Sequence, residues 1–182
     1  LSPEPTPLIS LSGVAGELKL GQVLLKDESK RSPLGSFKAL GASIALVRLI
    51  LRKFPTAGYT AATLFAGLHA QELKDFTVVS ATAGNHGCSL AAAARDIGCR
   101  CVIVLSEQVN PDREKAIASQ GADIVRVRGD YDDSVEHAAS LSTSEGWQVV
   151  SDTSYDGYEE IPRDVMQGYA TIPAEAIDQL NL

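Results

Sequence analysis

Short apolar segments alternate with longer helical segments between residues 76 and 150, and this alternation restricts the possible folds most strongly. The segment 101–105 contains only apolar residues, and helical patterns lie on both sides of it. A continuous apolar run of this kind is typical of a parallel strand that is covered on both faces. Strands that alternate with helices form consecutive βαβ units. The sequence therefore predicts an α/β fold with a mostly parallel sheet in a three-layer αβα arrangement.

Residues that start and end secondary structure set the approximate bounds of the elements. Asn85 opens an alanine-rich helix that Gly98 ends, Pro111 lies in the first turn of the next helix, and Gly146 ends another. Predicted strands cover residues 23–26, 76–80, 101–105, 123–127 and 147–151. Predicted helices cover residues 36–53, 67–73, 85–97, 111–120, 132–144 and 159–170, with a further turn from 173. The first eight residues contain three prolines and predict an extended arm, whereas residues 56–67 give an ambiguous pattern.

The charge and hydropathy of the chain argue against nucleic acids and membranes as partners. The formal net charge is -7, the isoelectric point is near 4.9, and no basic cluster is longer than the pair Lys30 and Arg31. A protein that binds phosphates through many contacts needs clustered cations. No apolar run approaches the ~18 residues of a membrane span, and no signal-peptide pattern is visible. We therefore expect neither kind of partner.

The three cysteines predict buried free thiols instead of a metal site. Cys99 and Cys101 alternate along a predicted strand, so both point to one face, but no histidine or further cysteine lies nearby to complete a zinc site. Cys88 lies in the preceding helix. Free thiols favour a reducing compartment, so we expect a cytoplasmic protein without a metal ion.

Lys38 lies at the start of a predicted helix, where a cation is unusual. Ser36 is suited to cap this helix, which places Lys38 in its first turn. The N-terminal end of a helix carries a partial positive charge that disfavours a lysine. Two interpretations remain open at this stage. One is a surface lysine that tolerates the position, and the other is a reactive amine whose pKa is lowered by positive potential and partial burial.

Two loops that follow predicted strands carry further candidate residues. The loop 80–87 ends at a helix N-terminus, where free backbone N–H groups can hold an anion. The alternative is an ordinary turn, in which Gly84 bends the chain and Asn85 caps the helix. Asp152 lies at the carboxyl end of a predicted strand, where α/β folds bind their ligands, and its alternative is a turn or cap residue.

Four segments together resemble a known family. The segments are Lys-Asp-Glu-Ser at 26–29, Ser-Phe-Lys at 36–38, Thr-Ala-Gly-Asn-His at 82–86, and the stretch 157–169. The first three resemble the fold-type II pyridoxal-phosphate enzymes, which include tryptophan synthase β and threonine dehydratase. The fourth is more specific and resembles the diaminopropionate ammonia-lyases.

The resemblance implies roles for the residues of these segments. Lys38 is implied to bind pyridoxal 5'-phosphate covalently, with Phe37 beside the cofactor ring and Asn85 bonded to its 3′-oxygen. Asp152 and the freed Lys38 are the implied acid–base groups. The substrate carboxylate is implied to bind the loop formed by Thr82, Ala83, Gly84, Asn85 and His86.

Two departures from the family pattern shape these expectations. The lyases carry an aspartate where this chain has Ala83, which favours the L-isomer of the substrate. No glycine-rich segment for the cofactor phosphate follows Tyr169, so the chain resembles the N-terminal half of the enzyme. It begins at Leu1 and its single methionine is Met166, which also indicates part of a longer product. We expect the fragment alone to bind the cofactor weakly and to be inactive.

The resemblance also implies a domain division and a reaction. Residues 1–34 are expected to form an arm and a strand of a large domain, residues 35–150 a small α/β domain, and residues 151–182 the start of the large cofactor domain. The expected reaction is α,β-elimination of 2,3-diaminopropionate to pyruvate and ammonia by a homodimer. The alternatives are a serine or threonine dehydratase and a truncated homologue without catalytic activity.

Overall fold

The computed structural model describes residues 4–180, and its helices and strands follow the predicted alternation. The strands are β1 (Leu8–Ser10), β2 (Leu24–Lys26), β3 (Thr77–Ala81), β4 (Arg100–Ser106), β5 (Asp123–Val127) and β6 (Gln148–Val149). The first helices are α1 (Ser12–Leu18), α2 (Lys38–Lys53), α3 (Ala61–Phe65), α4 (Ala70–Leu73) and α5 (Asn85–Ile97), with a 3-10 turn at Glu28–Lys30. The later helices are α6 (Pro111–Ala118), α7 (Tyr131–Glu145), α8 (Glu160–Tyr169) and α9 (Thr171–Leu180).

The main sheet is parallel and has the strand order β5-β4-β3-β6. From β3 the chain moves outward through β4 to β5, and it then returns to the other side of β3 to form β6. In open α/β sheets a reversal of strand order leaves a crevice beyond the carboxyl ends of the strands, and ligands bind there.

Helices cover both faces of this sheet, which confirms the three-layer arrangement. Val78 and Ile103 pack into the larger hydrophobic cluster, which includes residues of α2 and α5. Val79 and Val104 belong to a second cluster that includes Ala138 of α7. Successive residues of a strand point to opposite faces, so the unbroken apolar sequence of β4 fills both clusters.

The two cysteines that flank Arg100 are buried free thiols, as predicted. Cys99 and Cys101 both lie in the larger hydrophobic cluster. Burial raises the pKa of Cys99 to about 12 and also raises that of Cys101. Among the described residues no group of histidine, cysteine and acidic side chains is arranged to hold a metal ion, and no helix is long and apolar enough to cross a membrane.

The N-terminal region contains more structure than the sequence pattern indicates. Strand β1 pairs antiparallel with β2, and α1 lies between them in the chain. The extended arm was predicted for residues 1–8, of which residues 1–3 lie outside the described part of the chain. The strand over residues 8–10 was not predicted, because it depends on pairing with a distant segment. Helix α1 contains Gly13 and Gly16. Because glycine has a low helix propensity, a local sequence pattern does not predict this helix.

A buried arginine ties this N-terminal region to the last described helix. The side chain of Arg31 is only 2% exposed and donates hydrogen bonds to Glu28, Thr6 and Glu175. The Arg31 Nη1 to Glu175 Oε1 distance is 2.6 Å. Lys26 also pairs with Glu175, at 2.8 Å. The arm and α9 thus form one polar cluster, and the division into two domains at residues 35 and 151 stays a prediction.

Replacing Arg31 should destabilise the protein strongly. Arg31→Met leaves two carboxylates without their buried partner, and loss of one member of a buried ion pair costs about 3 kcal/mol or more. Arg163→Met is the matched control, because Arg163 pairs with Glu159 on the surface, where both side chains are largely exposed. Such a pair contributes less than about 1 kcal/mol. Urea unfolding monitored by circular dichroism measures the free energy of unfolding of both variants. An equal loss of stability in Arg31→Met and Arg163→Met would contradict the assigned role of Arg31.

Acid should weaken the same cluster over a defined pH range. The hydrogen bond from Arg31 is the main reason why the pKa of Glu175 falls from its ordinary value of 4.5 to about 2. A lowered folded-state pKa contributes stability that is complete above pH 4.5 and is lost as the pH falls towards 2. We expect the unfolding midpoint of Glu175→Gln to vary less with pH in this range than that of the unmodified protein. Parallel pH curves for the two proteins would contradict this.

Candidate active site

The candidate active site lies where the strand order reverses, at the carboxyl ends of β3 and β6. The loop 82–84 follows β3 and leads into α5, while Asp152 follows β6. The N-terminus of α2 supplies Lys38, and the C-terminus of α8 supplies Tyr169. Four separate segments thus converge at the edge of the sheet where α/β folds bind ligands.

An ion pair between Lys38 and Asp152 forms the centre of this site. The Nζ atom of Lys38 lies 2.6 Å from Oδ2 of Asp152, and the two side chains are 28% and 22% exposed. Lys38 is the first residue of α2, and its backbone N–H donates to the hydroxyl of Ser36 at 3.2 Å. Phe37, and not Ser36, occupies the residue position directly before the helix. The predicted location of Lys38 in the first turn is confirmed.

The direction of the Lys38 pKa shift is opposite to the one predicted. Burial by itself lowers the pKa, but the hydrogen bond and the negative charge of Asp152 outweigh burial and raise it above the ordinary value. Sequence reasoning considered the helix N-terminus and partial burial alone. The deciding partner lies 114 residues away in the chain, beyond the reach of any local pattern.

Two aromatic rings flank the lysine amine. Phe37 and Tyr169 meet edge to face with their centroids 5.0 Å apart, and the Nζ atom of Lys38 lies 5.4 Å from each centroid. Glycines bring α8 close enough for this contact. A Cβ atom on Gly41 would lie 2.5 Å from the ring of Tyr169, and one on Gly168 would lie 2.5 Å from the carbonyl oxygen of Leu40.

Tyr169 was missed as a site residue by sequence reasoning. Its ring is half-buried and close to Lys38, although the sequence shows it only as the last residue of a helical segment. Gly41 and Gly168 are the available signal, since small residues on two helices permit close packing. That signal does not by itself indicate which side chain fills the space.

His86 is a buried residue that lies close to the carboxylate of the site. The ring is 2% exposed, and Nε2 lies 2.9 Å from the carbonyl oxygen of Val150. The Nδ1 atom is 3.9 Å from Oδ2 of Asp152, which is too long for a hydrogen bond. Burial is the main reason why the pKa of His86 lies below its ordinary value. The imidazole is therefore neutral near pH 7.

The carboxyl group of Asp152 is ionised near neutral pH. Burial opposes the charge, but the positive charge of a protonated His86 and the hydrogen bond and charge of Lys38 together lower its pKa below the ordinary value. At pH values where His86 is neutral, Lys38 is the cation that maintains this state. The site thus contains a carboxylate and an ammonium group in direct contact, with a neutral imidazole beside them.

The loop before α5 presents backbone groups to the same edge. Gly84 and Asn85 are exposed, Thr82 and Ala83 are half-buried, and the N–H of Gly84 lies 3.4 Å from the hydroxyl of Thr82. Asn85 is the first residue of α5, and no side chain caps this helix end. The first N–H groups of a helix have no partner within it and attract anions. Within residues 4–180, no hydrogen bond or ion pair joins the side chain of Asn85 to Lys38 or Asp152.

Comparison with known proteins identifies the family. The family model described as "Pyridoxal-phosphate dependent enzyme" matches residues 1–182. The chain belongs to the pyridoxal-phosphate dependent enzyme family. The diaminopropionate ammonia-lyase of Escherichia coli (strain K12) is 36% identical over 177 residues, which cover 97% of this chain and 44% of that protein. The chain therefore spans less than half the length of this curated relative.

Solved structures confirm the fold. The selenomethionine-labelled holo form of the Escherichia coli diaminopropionate ammonia-lyase matches with a TM-score of 0.87 and 36% identity, covering 98% of this chain and 45% of that one. The complex of the same lyase with D-serine matches with a TM-score of 0.85, also at 36% identity and with the same coverage. The predicted fold-type II architecture and the likeness to the N-terminal half of these lyases are both confirmed.

The residues present fit the cofactor of this family. Lys38 provides a partly exposed primary amine, which is the group that binds an aldehyde cofactor covalently. The rings of Phe37 and Tyr169 give it an apolar wall, and the N-terminus of α5 offers unpartnered N–H groups at the same edge. The roles assigned to Lys38, Phe37, Asn85 and Asp152 remain predictions.

Removing the carboxylate should lower the pKa of the Lys38 amine. In Asp152→Asn the negative charge that raises this pKa is absent, while partial burial and the helix dipole remain. Asp156→Asn is the control, because it removes an exposed carboxylate from the same segment. Reductive methylation of the cofactor-free protein, followed by NMR titration of the methylated amine, measures the change. Identical Lys38 titration curves in the two variants would contradict the ion pair.

Proposed function

We propose that the protein of which this chain is part catalyses elimination of ammonia from 2,3-diaminopropionate, with the L-isomer preferred. The observation that carries this proposal is the 2.6 Å contact between Lys38 and Asp152 at the strand-order reversal. The identity of 36% to a diaminopropionate ammonia-lyase over 97% of this chain supports the choice of substrate. The expected products are pyruvate and ammonia.

Lys38 is the residue proposed to hold pyridoxal 5'-phosphate, with Phe37 beside it. When bound, this cofactor supplies an electron sink that stabilises negative charge on the α-carbon of the substrate. The loop formed by Thr82, Ala83, Gly84, Asn85 and His86 is proposed to orient the substrate carboxylate, with the N–H groups at the start of α5 as donors. Asn85 is exposed at this edge, and its side chain is proposed to bond to the 3′-oxygen of the cofactor ring.

Asp152 is proposed to remove the α-proton of the L-isomer. Its carboxylate is ionised near neutral pH and lies at the mouth of the site, so it can accept a proton at Oδ2. A positioned general base contributes about 10²–10⁴-fold to the rate. The amine of Lys38, once free, is the second candidate for proton transfer.

The residue at position 83 supports the stereochemical preference. Removing the α-proton from the opposite isomer requires a base on the opposite face, since one pocket holds the carboxylate of both isomers. Ala83 follows Thr82 in the loop after β3, and its methyl group cannot accept a proton. The lyases resembled by this chain carry an aspartate there. The D-serine complex of the Escherichia coli enzyme shows that such an enzyme binds a D-amino acid.

Location and assembly belong to the proposal as well. The free thiols at Cys88, Cys99 and Cys101 support a reducing cytoplasm. A small amino acid is the proposed substrate, and a homodimer is the proposed assembly.

Covalent labelling tests the proposed lysine. The full-length protein is incubated with pyridoxal phosphate, reduced with borohydride and mapped by its peptides. This procedure should place the cofactor on Lys38. Lys26 is an internal control, because its amine pairs with Glu175 and bonds to the carbonyl of Thr6. Label on Lys26 or Lys53 in place of Lys38 would refute the assignment, and Lys38→Met should abolish the label while the protein stays folded.

A pyruvate assay on both isomers tests the stereochemical preference. We expect turnover of L-2,3-diaminopropionate and little of the D-isomer, because the chain has Asp152 but no carboxylate at position 83. Asp152→Asn should reduce the rate on the L-isomer about 10²–10⁴-fold, and Ala83→Asp should increase the rate on the D-isomer. Asp156→Asn is the control and should leave both rates unchanged.

Two outcomes of this assay would change the proposal. Equal rates on both isomers in the unmodified protein would contradict the preference for L. Turnover of L-serine or L-threonine without turnover of either diaminopropionate would assign the protein as a dehydratase.

A further inference from the structure

His86 has a buried nitrogen that no step of the proposed function uses. Its ring is 2% exposed, and its Nδ1 atom has no hydrogen-bond partner among residues 4–180. A buried polar atom without a partner costs free energy, and few native structures keep one without a reason. The Oδ2 atom of Asp152 lies 3.9 Å from this nitrogen.

The contact with Val150 determines which nitrogen of His86 carries the hydrogen. A backbone carbonyl only accepts hydrogen bonds, so the Nε2 atom at 2.9 Å must be the donor. In a neutral imidazole the other nitrogen, Nδ1, then carries a lone pair. The charged or titratable groups that face His86 are Asp152 and Lys38, and Tyr169 lies beyond Lys38. None of these groups donates a hydrogen bond to Nδ1 in this state.

The Oδ2 atom of Asp152 therefore has two different neighbours. Lys38 donates to it at 2.6 Å, which suits the ionised carboxylate. The Nδ1 atom of His86, which carries a lone pair, lies 3.9 Å from the same oxygen, and two acceptors cannot form a hydrogen bond with each other. A proton on Oδ2 would turn this repulsive pair into a donor and an acceptor, and a small side-chain movement would then close the distance.

We propose that His86 is a positioning residue that accepts a hydrogen bond at Nδ1 from Asp152 after the carboxylate has taken the proton of the substrate. This inference rests on the proposed function. In the step the α-carbon–hydrogen bond breaks, its electron pair stays on the substrate, and a new O–H bond forms on Oδ2. Lys38 stabilises the charged form of Asp152, and His86 stabilises the protonated form.

Two substitutions separate this role from a purely structural one. His86→Gln can keep a donor towards the Val150 carbonyl but loses the acceptor at the position of Nδ1. His86→Asn can place an oxygen near the position of Nδ1 but loses the bond to Val150. If the role of His86 is purely structural, His86→Asn should lose more activity than His86→Gln, because it loses the bond to Val150. The pH dependence of the rate should then be the same in both variants as in the unmodified enzyme.

The proposal predicts the opposite pattern. In His86→Gln, kcat should fall about fivefold with KM nearly unchanged, as expected for the loss of one hydrogen bond made only after proton transfer. The acid limb of its pH–rate profile should move to lower pH, because the protonated form of Asp152 has lost its acceptor. His86→Asn should keep the acid limb of the unmodified enzyme. An acid limb in His86→Gln that stays in place would overturn the inference and leave the proposed function intact, and so would one that moves to higher pH, because the loss of a charged His86 would raise the pKa of Asp152.

NMR of the cofactor-free protein tests the same contact without any activity. The ¹⁵N resonances of the His86 ring, assigned by their loss in His86→Gln, should show hydrogen on Nε2 and none on Nδ1 near neutral pH. Lys38→Met removes the ammonium group that competes with His86 for Asp152. On mild acidification, the Nδ1 resonance of this variant should therefore shift in the direction expected for a nitrogen that accepts a hydrogen bond. Adding Asp152→Asn to Lys38→Met should remove this pH-dependent movement.

These spectra decide the inference even if no turnover is found. A hydrogen on Nδ1 in the unmodified protein would overturn the inference. A fully protonated His86 ring in Lys38→Met would also overturn it, because His86 and not Asp152 would then hold the proton. An Nδ1 resonance that moves equally with and without the Asp152 carboxyl group would also overturn it.

Discussion

The ion pair between Lys38 and Asp152 connects the two parts of the chain that form the site. One partner begins α2 and the other follows β6, so the pair fixes where the helix N-terminus lies relative to the sheet. Both side chains are more than two-thirds buried, and a pair shielded in this way is stronger than one in open solvent. It also determines the protonation of each partner, since the pKa of Lys38 is raised and that of Asp152 is lowered.

The order of the strands explains why these residues meet. Strands β3, β4 and β5 follow one another across the sheet, and only β6 returns to the far side of β3. The end of β6 is thereby placed next to the end of β3, where α5 begins with Asn85. His86, one residue further, reaches the carbonyl of Val150 at the end of β6 and reinforces this junction. The same reversal of strand order thus brings the proposed acid–base groups together.

Local patterns predicted most of the fold from residue 76 onward, and the non-local features escaped them. Periodicity and the residues that start and end helices give α5 to the residue and the bounds of α6 and α7 within two residues, because short-range sterics and burial decide those elements. Strand β1 depends on pairing with β2 across an intervening helix, and the aromatic contact of Tyr169 depends on the close approach of α8 to α2. Lys38 and Asp152 were both predicted as site residues, but the sign of the Lys38 pKa shift depended on their contact.

The strength of that contact has a consequence for how the site can work. An amine that is held as an ammonium ion by a carboxylate at 2.6 Å is not a nucleophile, so Lys38 must lose a proton and leave Asp152 before it can bind an aldehyde. Once the amine has left, the half-buried Asp152 loses the cation that stabilised its charge, and it becomes a stronger base. Separation of Lys38 from Asp152 would therefore strengthen the proposed general base, and a Lys38 amine that is free again would be the second candidate for the proton transfer. The Nδ1 atom of His86 has no hydrogen-bond partner among the described residues and lies 3.9 Å from Oδ2, so in the proposed step it is the available acceptor for the acquired proton.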